Sequence, residues 1–333
     1  MSNTHTLPKT YMGKQLEHAV RACGAFCHSK RSDKFNDAVD TEWKVYSDSY
    51  KQDMVDLARD FGRFLTANYP HIRNSYEIGQ AEVQAFMNKK ASTCAPTTLT
   101  TKISKLWKLE KCCIRISCSK NQEKFHWNTS DIIMPKSTKE IKYKKDKPIP
   151  IEHSRTILAD MQKNRSETVN AATLSAYTGM RARETTCLKV ENVHFTNGEF
   201  GLGWIQIIKG SEGGAKAGKA RIIPILDLEA QNALKSIVAG KKPDDYVVIS
   251  AKGGKMGPDN VEKAICTALK ARFGNTYLYN DGHGMRKTFA QKYYDMVRSK
   301  HTRKETISKT NMVLGHGKNR GEQGIKSYVA NKH

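Results

Sequence analysis

The sequence predicts a mainly α-helical protein with a small antiparallel β-sheet, built as a helical N-terminal domain followed by an α+β domain. Three observations predict it. Apolar residues recur at threes and fours through both halves of the chain. One stretch reads as two short strands around a turn rich in Gly and Lys. A lysine-rich segment bracketed by prolines separates the halves.

Residues 1–10 read as a loose tail, and residues 11–133 as the helical domain. In EWKVYSDSYKQDMVDLARDFGRFL, Trp43, Tyr46, Tyr50, Met54, Leu57, Phe61 and Phe64 mark one apolar helix face. A second helix is expected over Gly79 to Asn88. A third follows APTTLTTK, where Thr97 or Thr98 can cap, and carries Ile103, Leu106, Trp107 and Leu109. Residues 134–150, MPKSTKEIKYKKDKPIP, form a basic linker holding Lys136, Lys139, Lys142, Lys144, Lys145 and Lys147 against Glu140 and Asp146. Such a tether is either simply solvated or laid along a phosphate backbone. The second domain, 151–333, opens with helices in IEHSRTILADM and ETVNAATLSAY. Two strands follow in GWIQIIKGSEGGAKAGKARIIPI, then helices near 227–239, 258–272, 282–297, 303–314 and 321–330. There is no internal repeat.

The chain has 333 residues and a formal net charge of +23, which points to a polyphosphate partner, most often nucleic acid. No long apolar run or amphipathic anchor supports a membrane, and the N-terminus lacks the apolar stretch of a signal peptide. A cytoplasmic, nucleoid-associated bacterial protein is the expectation. Of the eight cysteines, Cys23 and Cys27 sit close together with His28, and Cys112, Cys113 and Cys118 form a second group, neither with paired CxxC spacing. Free, buried or half-buried thiols are expected, and no metal site.

The polar outliers of the second domain carry the chemistry. Arg181 and Glu184 lie in TGMRARE, Lys209 at the end of a strand, His283 and Arg286 in GHGMRKTFA, His316 in VLGHG and Tyr328 in IKSYV. His283 and Arg286 are three apart and share a helix face. Two arginines offer planar forks for phosphate oxygens. A lysine can move a proton, and a tyrosine can form a covalent intermediate. No GxxxxGK[ST] loop is present.

This ordered set resembles the tyrosine recombinase family, the phage-integrase-like site-specific DNA recombinases. The resemblance covers residues 150–333 by motif and the first half only in type, as a helical SAM-like core DNA-binding domain. It implies that Arg181 and Arg286 grip the scissile phosphate and that Glu184 orients that neighbourhood. Lys209 protonates the leaving 5′ oxygen, with Lys216 and Lys219 in the turn as the alternatives. His283 pairs with Arg286, His316 hydrogen-bonds the phosphate, and Tyr328 forms a 3′-phosphotyrosyl link. Lys142, Lys144, Lys145, Lys216 and Lys219 are expected on DNA, and Arg183 at the surface or on a backbone phosphate. His194, Tyr293 and Tyr294 are expected to be structural.

The same resemblance implies double-stranded DNA carrying specific attachment or recombination sites, a homo-oligomer on that DNA, typically a tetramer, and accessory DNA-bending proteins. It implies no cofactor and no metal. The implied activity is integration or excision of a mobile element. A type IB topoisomerase-like nicking-closing enzyme shares the chemistry, and a DNA-binding protein that has lost catalysis is a third reading. One departure stands out: Tyr328 follows His316 by a longer step than the family's usual one, through the Gly-rich GKNRGEQGIKSY.

Overall fold

The computed structural model describes residues 11–25, 33, 40–119, 127–139, 148–164, 166–210, 214, 220–277 and 282–329. The chain divides into two compact units, residues 1–142 and 143–333.

The first unit contains α1 (Tyr11–Ala22), α2 (Asp48–Asn68), α3 (Gln80–Ala91) and α4 (Pro96–Ser119). Ser47 caps α2 by accepting from Tyr50 N, so this helix starts later than the apolar periodicity alone suggests. The periodic face is buried as expected: Met54, Leu57, Phe61 and Phe64 meet Leu16 of α1, Phe86 of α3 and Leu106 of α4 in one core. The Phe61 and Phe86 rings lie 4.8 Å apart, a separation that adds an aromatic pair energy to plain burial. Buried Glu17 of α1 is held by Arg59 of α2 at 2.8 Å and by Arg21 at 2.7 Å. Its carboxyl is pulled below the usual range, chiefly by the Arg59 hydrogen bonds. Cys23, Cys112 and Cys113 are buried and unbridged, as is Cys187 of the second unit, while Cys94 and Cys266 are half-buried and free. Cys27 and the Cys118 side chain lie outside the described residues, as do Lys142, Lys144 and Lys145.

The second unit runs α5 (Ile151–Lys163), α6 (Val169–Thr178), α7 (Ala182–Thr185), β1 (Val193–His194), β2 (Trp204–Ile207), β3 (Arg221–Pro224), α8 (Leu228–Val238), α9 (Pro258–Phe273), α10 (Gly282–Arg298), α11 (Arg303–Val313) and α12 (Gly321–Ile325). The sheet is antiparallel in the order β1-β2-β3, with Ile205 opposite Ile223 and Ile207 opposite Arg221. Alternation puts Ile205, Ile207 and Ile223 into the core while Ile222 faces out. β1 was not anticipated. Its two residues are too few to show alternation. His194 in β1 stacks on Trp204 with ring centres 3.8 Å apart, a packing role. Leu174, Phe289 and Tyr293 join the same core, which covers the helices around the sheet. Tyr294 belongs to a smaller cluster with Ile307, Leu314, Ile325 and Val329, against which Tyr328 packs. The last expected helix, 321–330, is one short helix, after which Tyr328 N donates to Ile325 O at 2.9 Å. Among the described residues no helix is long and apolar enough to cross a membrane.

Candidate active site

TGMRARE builds a turn before it builds a site. α6 ends on Gly179, whose φ of 59° reverses the chain while its N–H donates to Ser175 O. A Cβ there would also lie 2.5 Å from the Phe289 ring, so the position requires glycine twice over. Arg181 is then the N-cap of α7, and Glu184 sits at its third helical position. The Glu184 carboxylate reaches back to accept from Arg181 N at 2.8 Å and from Arg181 Nη1 at 2.9 Å. The acid three residues after the arginine is therefore its clamp. Arg183 faces out.

Glu184 is 0% exposed and serves a second arginine. Arg221, at the start of β3, donates through Nη1 to Oε1 at 2.7 Å and through Nη2 to Oε2 at 2.6 Å. Burial alone would raise this carboxyl. The Arg221 hydrogen bonds and the charges of Arg221, Arg286 and Arg181 outweigh it and hold the group at about 2. Arg221 was not singled out from the sequence. Its signal was parity: on a strand, position 221 shares a face with buried Ile223.

Arg286, on α10, is 1% exposed. Its Nη1 donates to Gly179 O and its Nη2 to Leu314 O, while its Nε has no hydrogen-bond partner among the described residues. Arg181 Nη2 donates to the same Leu314 carbonyl at 3.2 Å. Burial, then the charges of Arg181 and Arg221, lower the Arg286 pKa to about 10, which leaves it cationic at neutral pH.

Tyr328 closes the group. Its ring centre is 5.1 Å from that of His283 and 5.0 Å from that of His316, and the Arg286 guanidinium carbon lies 5.6 Å away. His283 and Arg286 reach the tyrosine from one face of α10. His316 follows the α11 turn, where its N–H donates to Asn311 O at 2.8 Å. Burial first, and then the Arg286 and Arg181 charges, lower its pKa to about 4, against a Gly324 backbone hydrogen bond that raises it. His316 is neutral at pH 7, and its buried Nδ1 has no hydrogen-bond partner among the described residues.

The long step from His316 to Tyr328 is anchored by Asn311, a residue sequence reasoning missed. It is fully buried, donates through Nδ2 to Gly321 O at 2.8 Å, and lies so close to Gly324 that a Cβ there would stand 1.9 Å from Oδ1. Tyr293 and Tyr294 are buried on α10, with Tyr293 Oη donating to Glu199 at 2.9 Å.

Six of the singled-out residues thus converge: Arg181, Glu184, His283, Arg286, His316 and Tyr328. Lys209 does not touch them. It is exposed, two residues past the end of β2, and makes no hydrogen bond or ion pair among the described residues. Lys216 and Lys219 lie outside the described residues. No group of three or more His, Cys, Asp or Glu able to hold a metal ion occurs among the described residues.

The charges around Glu184 do not balance. Three guanidinium groups surround one carboxylate, leaving two positive charges in excess beside a tyrosine. Unpaired buried charge is costly, and an anion from outside is the natural complement. A phosphodiester is an anion of this kind, with non-bridging oxygens that accept from guanidinium groups.

Residues 149–305 match the model of the phage integrase family. No curated protein matches the chain significantly. Among solved structures, the chain is similar to XerH site-specific recombinase bound to palindromic difH substrate, at 14% identity and a TM-score of 0.63, over 97% of this chain and 92% of that one. It is also similar to the Tn1549 transposon integrase in complex with circular intermediate DNA, at 12% identity and a TM-score of 0.53, over 95% and 96% of the two chains. A lambda integrase dimer bound to a COC′ core site gives 13% identity and a TM-score of 0.55, over 90% and 75%. At these identities the likeness is one of fold.

Proposed function

We propose, from the match of residues 149–305 to the phage integrase family model, that this chain is a site-specific DNA recombinase that cleaves and rejoins DNA through a 3′-phosphotyrosyl intermediate at Tyr328. The observation that carries the reading is the two-charge excess of Arg181, Arg221 and Arg286 over Glu184, beside a half-buried tyrosine flanked by two histidines.

In the proposed cleavage, Arg181 and Arg286 donate to the non-bridging oxygens of the scissile phosphate. Tyr328 Oη bonds to phosphorus and the bond from phosphorus to the 5′ oxygen breaks. The tyrosyl proton passes to a neighbouring imidazole or to water, and the leaving 5′ oxygen takes a proton from Lys209. The attacking 5′ hydroxyl of another strand then reverses these steps and releases Tyr328. The arginines act where charge accumulates during attack, so they favour the transition state over the bound ground state. Neutral His316 donates to the phosphate without adding a further charge to the arginine pair. The phosphotyrosyl ester keeps the energy of the broken bond, so neither metal nor nucleotide enters the scheme.

The partner is double-stranded DNA bearing recombination or attachment sites, as in integration or excision of a mobile element. The acting form is a homo-oligomer, a tetramer on two sites, aided by DNA-bending proteins, in the bacterial cytoplasm at the nucleoid. The linker lysines 142, 144 and 145 and the turn lysines 216 and 219 add phosphate contacts. The XerH, Tn1549 and lambda proteins, each solved with DNA, support this reading by likeness of fold.

The test is covalent trapping. The protein is incubated with a suicide duplex carrying its own flanking attachment sequence, and an SDS-resistant adduct is mapped by peptide. An adduct at Tyr328, lost in Tyr328→Phe with DNA binding retained, is expected. Cleavage that survives Tyr328→Phe sinks the nucleophile assignment. Binding with no adduct favours a protein that only binds DNA.

A further inference from the structure

Arg221 is the one guanidinium of the cluster with no role in the scheme above. Three of its N–H groups are committed to the protein. Two hold both oxygens of Glu184, and Nε donates to Val313 O at 2.7 Å. All three of its nitrogens already donate to the protein, unlike those of Arg286, so it is poorly placed to take a phosphate oxygen as well. Its bonds run to both halves of the arginine centre. Glu184 is the clamp on Arg181, and Val313 precedes Leu314, whose carbonyl accepts from Arg181 and Arg286.

The other end of Arg221 belongs to the hairpin. Its backbone pairs with Ile207, the last residue of β2, and Lys209 lies two residues further on. Arg221 is therefore the first paired residue of β3, directly after the loop that carries Lys209. The strands are short, four residues each, and a ladder of that length fixes the root of a loop weakly by itself. A bidentate, buried guanidinium–carboxylate pair fixes it far better.

We propose that Arg221 is a positioning residue that couples the lysine-bearing hairpin to the phosphate-gripping arginines, so that Lys209 delivers its proton to the leaving oxygen of the phosphate that Arg181 and Arg286 hold. This rests on the recombinase reading and on Lys209 as the proton donor. Arg221 touches neither DNA nor the reacting atoms; it acts through Glu184, Val313 and the β2–β3 ladder.

The leaving group provides the test. A duplex whose scissile phosphate carries sulfur in place of the bridging 5′ oxygen expels a thiolate, which needs no proton. Single-turnover cleavage of this duplex and of the ordinary one is compared for wild type, Lys209→Ala, Arg221→Lys and Arg221→Gln. Each variant is measured on both duplexes from one preparation, so a reduced folded fraction cancels in the ratio. Arg221→Lys keeps the charge but loses the two-pronged grip. Both Arg221 variants are expected to slow by about 100-fold on the ordinary duplex and by less than about tenfold on the sulfur duplex, following Lys209→Ala. Equal slowing on both duplexes overturns the proposal, since it puts Arg221 on the Arg181 side alone or in the scaffold. Failure of the sulfur duplex to rescue Lys209→Ala overturns it too, because the hairpin lysine is then not the donor. The wild-type adduct separates these outcomes from failure of the recombinase reading: if wild type forms none on either duplex, that reading fails and the coupling falls with it.

Discussion

Glu184 carries the site by holding the groups around it. Among the described residues it is the one carboxylate set among three arginines, and all its bonds are charge-assisted. Glu184→Gln leaves Arg221 buried against a neutral amide, so the chain should lose about 3 kcal/mol of stability, read by urea unfolding. Acid does the same to wild type. A carboxyl held at about 2 against an ordinary 4.5 contributes stability that is whole above pH 4.5 and is lost as pH falls toward 2. His316, lowered from 6.5 to about 4, has the same sign, because the unfolded chain takes its proton first. Unfolding free energy measured from pH 7 downward should therefore fall in two stages, first between 6.5 and 4 and then below 4.5. His316→Asn should shrink the first stage. An unchanged first stage in that variant would remove His316 from the account. At this scale much was legible, because Arg181, Glu184, His283, Arg286, His316 and Tyr328 fall in short motifs whose order is itself a signal. Arg221 and Asn311 were not. Each works through a partner far away in sequence, Glu184 and Gly321 to Gly324, and only folding brings them together.

The elements were legible in kind and less so in extent. The expected helix over 321–330 stops at Ile325 because it starts on Gly321 and contains Gly324, each costing about 1 kcal/mol in helix propensity relative to alanine. What holds this segment is tertiary: Asn311 grips Gly321, and Gly324 lies against the Asn311 side chain. Gly324→Ala, an improvement by propensity alone, is expected to displace the segment carrying Tyr328. Adduct formation should drop at least about tenfold while DNA affinity stays near wild type, since the cost of overpacking, typically 1–3 kcal/mol, falls on the nucleophile. Full cleavage activity in that variant would show that the segment yields freely. The β2–β3 hairpin was readable because its strands alternate. Of its loop, Lys216 and Lys219 lie outside the described residues.

At the scale of the whole molecule, net charge was the plainest feature of the sequence. A charge of +23 on 333 residues implies binding through phosphate neutralisation and counterion release. Affinity for a duplex should fall by about a hundredfold or more between 50 and 200 mM salt, with a linear log–log slope that fluorescence anisotropy can read. A flat dependence would mean that few phosphates are met. Composition does not say which cations meet them, because charge is a sum over the surface and loses position.

One feature of the arginine centre bears on how such a site changes over time. Arg181 and Arg286 both hang from the carbonyl of Leu314, a main-chain atom. No codon specifies it. Exchanging Leu314 for another residue that fills the small cluster beneath it leaves the acceptor in place. Inserting or deleting one residue between Asn311 and Gly317 moves it, and both guanidiniums with it. Column-by-column comparison of relatives would pass over this anchor, and the trace it leaves is the length of a turn.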